Sequence, residues 1–228
     1  MNMKYLTLTI LFLFTFFNSF SQFIEEDDDN VKKNLSDYRP VNIIKTNPLA
    51  IMASPMPLAS EYRIMLEHQL TKETTFFVGG SYLGKGLFLS SIEQANNNQY
   101  PNNPFYYALY GFRVQGGYKF YYNGNAPKGF YIGPFISYLS SIIKEKGASL
   151  GSEYIKITYF NANLVFGHQF IIGDLISIDI CTGWGYKNNE FFYYTQPNGA
   201  AQDLADDIPE SVFKHLKFVF NFNFGYKF

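Results

Sequence analysis

The chain of 228 residues has a single cysteine, Cys181, so it forms no internal disulfide and supplies no pair of thiolates for a zinc site. Cys181 reads as a lone buried thiol. Charge is sparse and balanced: 18 Lys and Arg face 19 Asp and Glu, a net charge of -1. No basic run tracks a phosphate backbone, which argues against a nucleic-acid partner. Only three histidines are present, His68, His168 and His215, with neither a Ser-His-Asp set nor a His-x-Ser spacing among them. Triad chemistry has nothing to act on, so neither an enzyme nor a cofactor is expected, and no metal site. Also missing is any run of roughly 20 apolar residues, which a membrane-spanning helix requires.

Aromatic residues, by contrast, are abundant. Phe 25 and Tyr 19 bring the aromatic share to 20%, yet mean hydropathy is only -0.11. A strand spans lipid while only every second residue is apolar, so this combination suits a membrane barrel rather than a helical membrane protein. The last segment carries the pattern most clearly. Leu216, Phe218, Phe220, Phe222, Phe224, Tyr226 and Phe228 share one parity, and Lys217, Asn221, Asn223, Gly225 and Lys227 the other. Successive strand side chains point to opposite faces, so the ribbon has one aromatic wall and one polar wall.

The N-terminus reads as a targeting segment. Lys4 precedes the apolar stretch Tyr5 to Phe17, and small residues at 19 and 21 then place a signal-peptidase cut between Ser21 and Gln22. Residues 1–21 are the expected signal peptide. Residues 22–40, with the acidic run 25–29, are expected to be a disordered periplasmic tail. From 41 to 228 the chain reads as eight strands: Val41 to Ile51, Leu58 to Leu70, Thr74 to Leu83, Phe105 to Tyr122, Gly129 to Ile143, Glu153 to Ile171, Asp174 to Lys187 and Val212 to Phe228.

Loop lengths alternate along this series. The connections 69–73, 123–128 and 172–173 are tight, whereas 85–104 and 188–211 are long, Asn-rich or acidic, and contain proline. Outer-membrane barrels place short turns in the periplasm and long loops outside. An even strand number starting in the periplasm puts both long loops outside and both mature termini in the periplasm. The expected fold is therefore an all-β, antiparallel, up-and-down transmembrane barrel of eight strands. A soluble sandwich or lipocalin-like barrel is the alternative; filling one small core with so many Phe and Tyr leaves phenolic hydroxyls needing partners.

Parity assigns faces on most strands. Tyr62, Ile64 and Leu66 oppose Arg63 and Glu67; Phe112 and Val114 oppose Arg113 and Gln115; Ile178 and Ile180 oppose Asp179. Strands one, three and five alternate too poorly for faces to be assigned. The inward set is then charged: Arg63, Glu67, Arg113, Lys119, Asp179 and Lys217, with Lys227 near the rim, and Lys45 of strand one is a candidate to join it. An interior of eight strands is just wide enough for side chains to fill, and charges there must pair. They read as a polar plug, or else as the constriction of a narrow ion or small-solute pore. By parity His68 and His168 face outward near the periplasmic turns.

The long loops are the expected contact surfaces. Asn96, Asn97, Asn98, Asn102 and Asn103 with Tyr100 form one; Phe191 to Tyr194 followed by Asp203, Asp206, Asp207 and Glu210 form the other. The aromatics are expected to prolong strand seven, and the acids to be solvated rather than to hold a divalent ion with lipopolysaccharide.

Several segments together resemble a known group. The Ser-Phe-Ser/Gln junction, NIIKTNPL from Asn42, the triplet Glu61-Tyr62-Arg63, GFYIGPFISY from Gly129 and the aromatic last strand are similar to small outer-membrane barrels of Gram-negative bacteria, described mainly as a domain of unknown function. The resemblance implies the eight-stranded OmpA and OmpX architecture, folded by the barrel-assembly machinery, with Phe224, Tyr226 and Phe228 as the assembly signal. It brings no catalytic residues. Expected partners are outer-membrane lipids and lipopolysaccharide, that machinery, and a surface ligand or membrane complex; the expected role is structural or interactive, with lipid modification the least favoured.

Overall fold

The structure is a computed structural model that describes residues 40–52, 54, 59–102, 104, 106–122, 124–146, 153–194, 201–203 and 215–228. The expected signal peptide, its cleavage site and the acidic tail lie outside these residues, apart from Pro40.

Eight strands close into an antiparallel barrel in sequential order. They are β1 (Asn42–Thr46), β2 (Ala59–Gln69), β3 (Thr74–Lys85), β4 (Tyr106–Tyr121), β5 (Gly129–Lys146), β6 (Tyr154–Ile172), β7 (Ile176–Tyr194) and β9 (Leu216–Lys227). A three-residue strand, β8 (Ala201–Asp203), adds to the end of β7 against Phe192–Tyr194. Closure joins β1 to β9, where Asn42 and Phe228 exchange backbone hydrogen bonds of 2.9 and 3.1 Å. The end holding Asn42 and Phe228 is called the lower end below.

Closure carries a stagger. From Ile43 the ladder steps through Glu67, Phe77, Gly117, Phe135, Asn163 and Gly185 to Lys217, yet Ile43 itself pairs with Lys227, ten residues further on. With ~3.3 Å rise and ~4.8 Å between strands, a ten-residue stagger over eight strands tilts them by about 40°.

The lower connections are short and the upper ones long, as the loop lengths imply. Between β6 and β7 the turn rests on Gly173 in the left-handed region (φ 59), which glycine adopts without a Cβ penalty. Two upper segments depart from expectation. The first strand was expected to run from Val41 to Ile51, but it stops at Thr46 and the chain turns into helix α1 (Pro48–Met52). Asn47 starts that turn: its side-chain oxygen accepts the Ala50 N–H at 3.1 Å, and Pro48 follows at the first helical position, where its missing N–H costs nothing. The region 85–104, expected as a loop, holds helix α2 (Leu87–Gln99), with Asn96, Asn97 and Asn98 in its last turns. Leu89 and Glu93, four residues apart on one helix face, are buried. The aromatics 191–194 do prolong β7.

The facing of the strands is unambiguous, including the three that alternate poorly in sequence. Inward are Ile43 and Lys45 on β1, Thr75, Phe77, Ser81 and Leu83 on β3, and Tyr131, Phe135, Ser137, Leu139 and Ser141 on β5. Their neighbours Ile44, Phe76, Val78, Tyr82, Ile132, Ile136 and Tyr138 are exposed. Outside, an apolar belt continues through Ile64, Phe112, Val114, Leu164, Phe166, Trp184 and Phe220. Inside, Gly117 makes room for a ring: a Cβ there would fall 2.6 Å from Phe77, which stacks on Phe135 over Gly117 with ring centres 6.0 Å apart.

Candidate functional site

Two ionic clusters fill the lumen, one above the other. The lower one takes Lys45 from β1, Glu67 from β2, Lys119 from β4, Gln169 from β6 and Asp179 from β7. Both ammonium groups touch the same three acceptors. Lys119 Nζ lies 2.9 Å from Glu67 Oε2, 2.8 Å from Asp179 Oδ2 and 2.9 Å from Gln169 Oε1. Lys45 Nζ lies 2.9 Å from Asp179 and 2.8 Å from Gln169, and pairs closely with Glu67. The second oxygens are satisfied too. Thr75 and Tyr121 reach Glu67 Oε1 at 2.7 and 3.0 Å, and the Tyr131 hydroxyl donates to Asp179 Oδ1 at 2.6 Å. Lys119 also sits 4.3 Å from the centre of the Tyr131 ring. Two cations and two carboxylates cancel, so this cluster is a neutral brace in which every ammonium and carboxylate is bonded, and only the Gln169 Nε2 lacks a partner among the described residues.

The upper cluster is centred on Glu61 of β2. Its carboxylate accepts from Arg63 Nε at 2.9 Å, Ser81 Oγ at 2.8 Å and Arg113 Nη1 at 2.8 Å. Arg63 Nη1 reaches across to Asn221 Oδ1 of β9 at 3.0 Å, an oxygen that also accepts Asn47 Nδ2 at 3.3 Å. One acid here faces two guanidinium groups, so the cluster keeps a positive surplus. Arg113 uses one of its nitrogens; Nε and Nη2 have no partner among the described residues, although the residue is 3% exposed.

Between the clusters lies an apolar layer of Met65, Phe77, Phe135 and Val165 around a cavity of about 30 Å³, reached also by Lys45, Arg63, Gln115, Asn221 and Asn223. That space suits about two water molecules. Above the upper cluster Ala59, Leu83, Leu109, Leu139 and Ile157 form a second apolar layer, and Leu89 of α2 packs into it. Glu93 of α2 pairs with Lys85 and accepts the backbone N–H of Tyr107, so the helix is tied down across the upper mouth.

All seven lumen residues read from the sequence face inward, and six of them are buried. Lys45, Glu67, Lys119 and Asp179 meet in one cluster, and Arg63 and Arg113 in the other. Lys217 is half-buried and makes no ion pair among the described residues; it lies within electrostatic reach of Arg113, Arg63 and Glu61. Glu61, the hub of the upper cluster, was missed, although its parity with Arg63 and Glu67 was available. Tyr121 was missed although it shares the parity of Arg113 and Lys119, and Tyr131 because β5 alternates too poorly in sequence for its face to be assigned.

Elsewhere, Phe224, Tyr226 and Phe228 are exposed on the outer wall. The histidines are scattered: His68 bonds Asn42 at 2.8 Å, His168 lies against Phe130 and Phe170, and His215 stacks on Tyr186. Among the described residues no three His, Cys, Asp or Glu side chains come together as metal ligands. Cys181 is buried. Asn103, Asp206, Asp207, Glu210 and the Asp203 side chain lie outside the described residues. Compared with protein-family models, curated proteins and solved structures, the chain finds no match, so the resemblance read from its segments narrows to the architecture, a closed eight-stranded barrel.

Proposed function

We propose that this protein is an integral outer-membrane barrel with a plugged lumen, non-catalytic, acting as a structural or surface-interaction element through its upper, extracellular end. One observation carries the reading. The molecule is inverted relative to a soluble barrel: Lys45, Arg63, Glu61, Glu67, Arg113, Lys119 and Asp179 are buried at its axis, while large apolar side chains cover its outer wall. In water a contiguous apolar patch of more than a few hundred Å² is rare. In lipid that wall is the favourable solvent contact, and closing the sheet leaves no unpaired edge for most of its circumference.

The closed-plug reading rests on the two clusters, the small cavity between them and the apolar layer beneath α2. A narrow pore would need a continuous polar path through these layers. Outer-membrane fractionation and heat-modifiable migration in detergent gels are expected to be positive, and a freely soluble mature protein would overturn the membrane reading. In planar bilayers the refolded protein is expected to show no steady conductance. Ion-selective current altered by Arg113→Ala or Asp179→Ala would establish the pore instead.

A further inference from the structure

Among the described residues the wall of the barrel has a seam at β1. β1 pairs with β2 only through Asn42–Lys45 and with β9 only through Ile43–Thr46. Above it, β2 continues from Ile64 to Ala59 and β9 from Asn223 to Leu216, each with a strand neighbour on its other side only among the described residues. The single helical turn α1 fills the gap and touches both strands. Pro48 cannot donate to a ladder, and Thr46 replaces a ladder bond with a side-chain one, its hydroxyl donating to the Arg63 carbonyl at 2.8 Å. Behind α1 the seam is stitched by polar side chains, Asn47 and Arg63 both meeting Asn221.

Behind that seam lies the upper cluster. Arg63, Arg113 and Lys217 bring three cations toward the one carboxylate of Glu61, and two nitrogens of the buried Arg113 guanidinium, Nε and Nη2, have no partner among the described residues. A buried surplus of charge calls for an anion, and a guanidinium with two free donors is a fork shaped for an oxyanion. Access from above meets the apolar layer under α2, and access from below meets Phe77 stacked on Phe135. The side is different. There, among the described residues, one turn of helix covers the way, and its Leu49, Ile51 and Met52, with Ile64 and Phe220 beside it, are exposed apolar residues.

We infer that this seam is a lateral entrance through which a phosphate-bearing lipid places its headgroup against Arg113, Arg63 and Lys217 when α1 swings outward, its acyl chains staying against the apolar wall. The inference rests on the membrane reading above. Displacing α1 breaks the Asn47–Asn221 hydrogen bond and leaves that Asn221 oxygen to Arg63 Nη1, while the donors open to the headgroup are Nε and Nη2 of Arg113, which have no partner among the described residues.

The test is a calorimetric titration of the protein refolded in dodecyl maltoside, with dodecyl phosphate and inorganic phosphate as probes. Dodecyl phosphate is expected to saturate one site and to bind about tenfold or more tighter than inorganic phosphate, since its chain is held by apolar wall. Arg113→Met is expected to weaken it by about tenfold, the loss of a charge-assisted pair of hydrogen bonds. Lys217→Gln, outside the bonded network, is expected to weaken it several-fold and decides the matter if Arg113→Met does not fold. No saturable binding, or binding unchanged in Lys217→Gln, overturns the site. Equal affinity for inorganic phosphate overturns the lipid entrance and leaves a free-oxyanion site. Heat-modifiable migration of the wild type is read in parallel, so failure of the barrel and failure of the site are told apart.

Discussion

Replacing Lys119 by Met tests whether the lower cluster braces the barrel. The side chain nearly keeps its volume but loses the ammonium that sits over the Phe77 and Tyr131 rings, and Glu67 and Asp179 are left with Lys45 as their one cation in the cluster. A neutral cluster becomes a buried net negative charge, and hydrogen bonds at 2.8, 2.9 and 2.9 Å are lost. Breaking one member of a buried ion pair costs about 3–5 kcal/mol. With a urea dependence of about 1–3 kcal/mol per molar, the unfolding midpoint in lipid vesicles should fall by about 1–5 M, read by the fluorescence of Trp184 and by gel migration. The double variant Lys119→Met with Asp179→Asn restores neutrality, leaving Lys45 against Glu67. Its loss should be smaller than the sum of the two single losses by about 0.5–3 kcal/mol. If Lys119→Met costs less than about 1 kcal/mol, as an exposed pair would, or if the two substitutions simply add, the brace is refuted.

The remaining expectations concern the wall, the cap and the last residue. Ile136→Arg, on the outer face midway along β5, should cost about 2–4 kcal/mol in lipid, whereas Tyr122→Arg, by the lower turn, should cost about 0–1; equal costs in vesicle unfolding would contradict the lipid belt. Leu89→Asp removes the side chain that seats α2 in the upper apolar layer, so residues 87–99 should become open to protease while the barrel still shows heat-modifiable migration. Phe228→Ala leaves the backbone bonds to Asn42 intact, so the folded barrel should unfold at nearly the same urea concentration, but its yield in the outer membrane should drop several-fold. An unchanged yield would remove the assembly role from the terminal phenylalanine.

Much of the wall was legible in the chain because a strand has a local rule. Side chains alternate, so Phe218, Phe220 and Phe224 declare one face and Lys217 and Asn223 the other without reference to any neighbour. Glycine and serine blur the rule on β3 and β5, where Gly79, Gly133, Ser137 and Ser141 sit on the inward face and give no hydrophobic contrast. The two helices escaped for separate reasons. Pro48 reads as compatible with an edge strand until Asn47 is seen capping a turn, and Asn96–Asn98 read as a loop until Leu89 is seen buried.

The sequence by itself determined the number of barrel strands, the alternation of short and long connections, and the inward facing of Arg63, Glu67, Arg113, Lys119 and Asp179, since each follows from local periodicity and turn chemistry. Only the tertiary structure decided which of those charges meet. Lys45 and Asp179 are 134 positions apart and Lys119 and Glu67 are 52 apart, and they converge because the sheet closes with a stagger of ten residues. Stagger and tilt set the height of each side chain in the lumen, and both belong to the closed ring rather than to any strand. The early end of β1, which opens the seam and places Arg63 and Arg113 behind it, is decided in the same way: β2 and β9 hold their length on their other neighbours, and the gap between them appears only when the ring is complete.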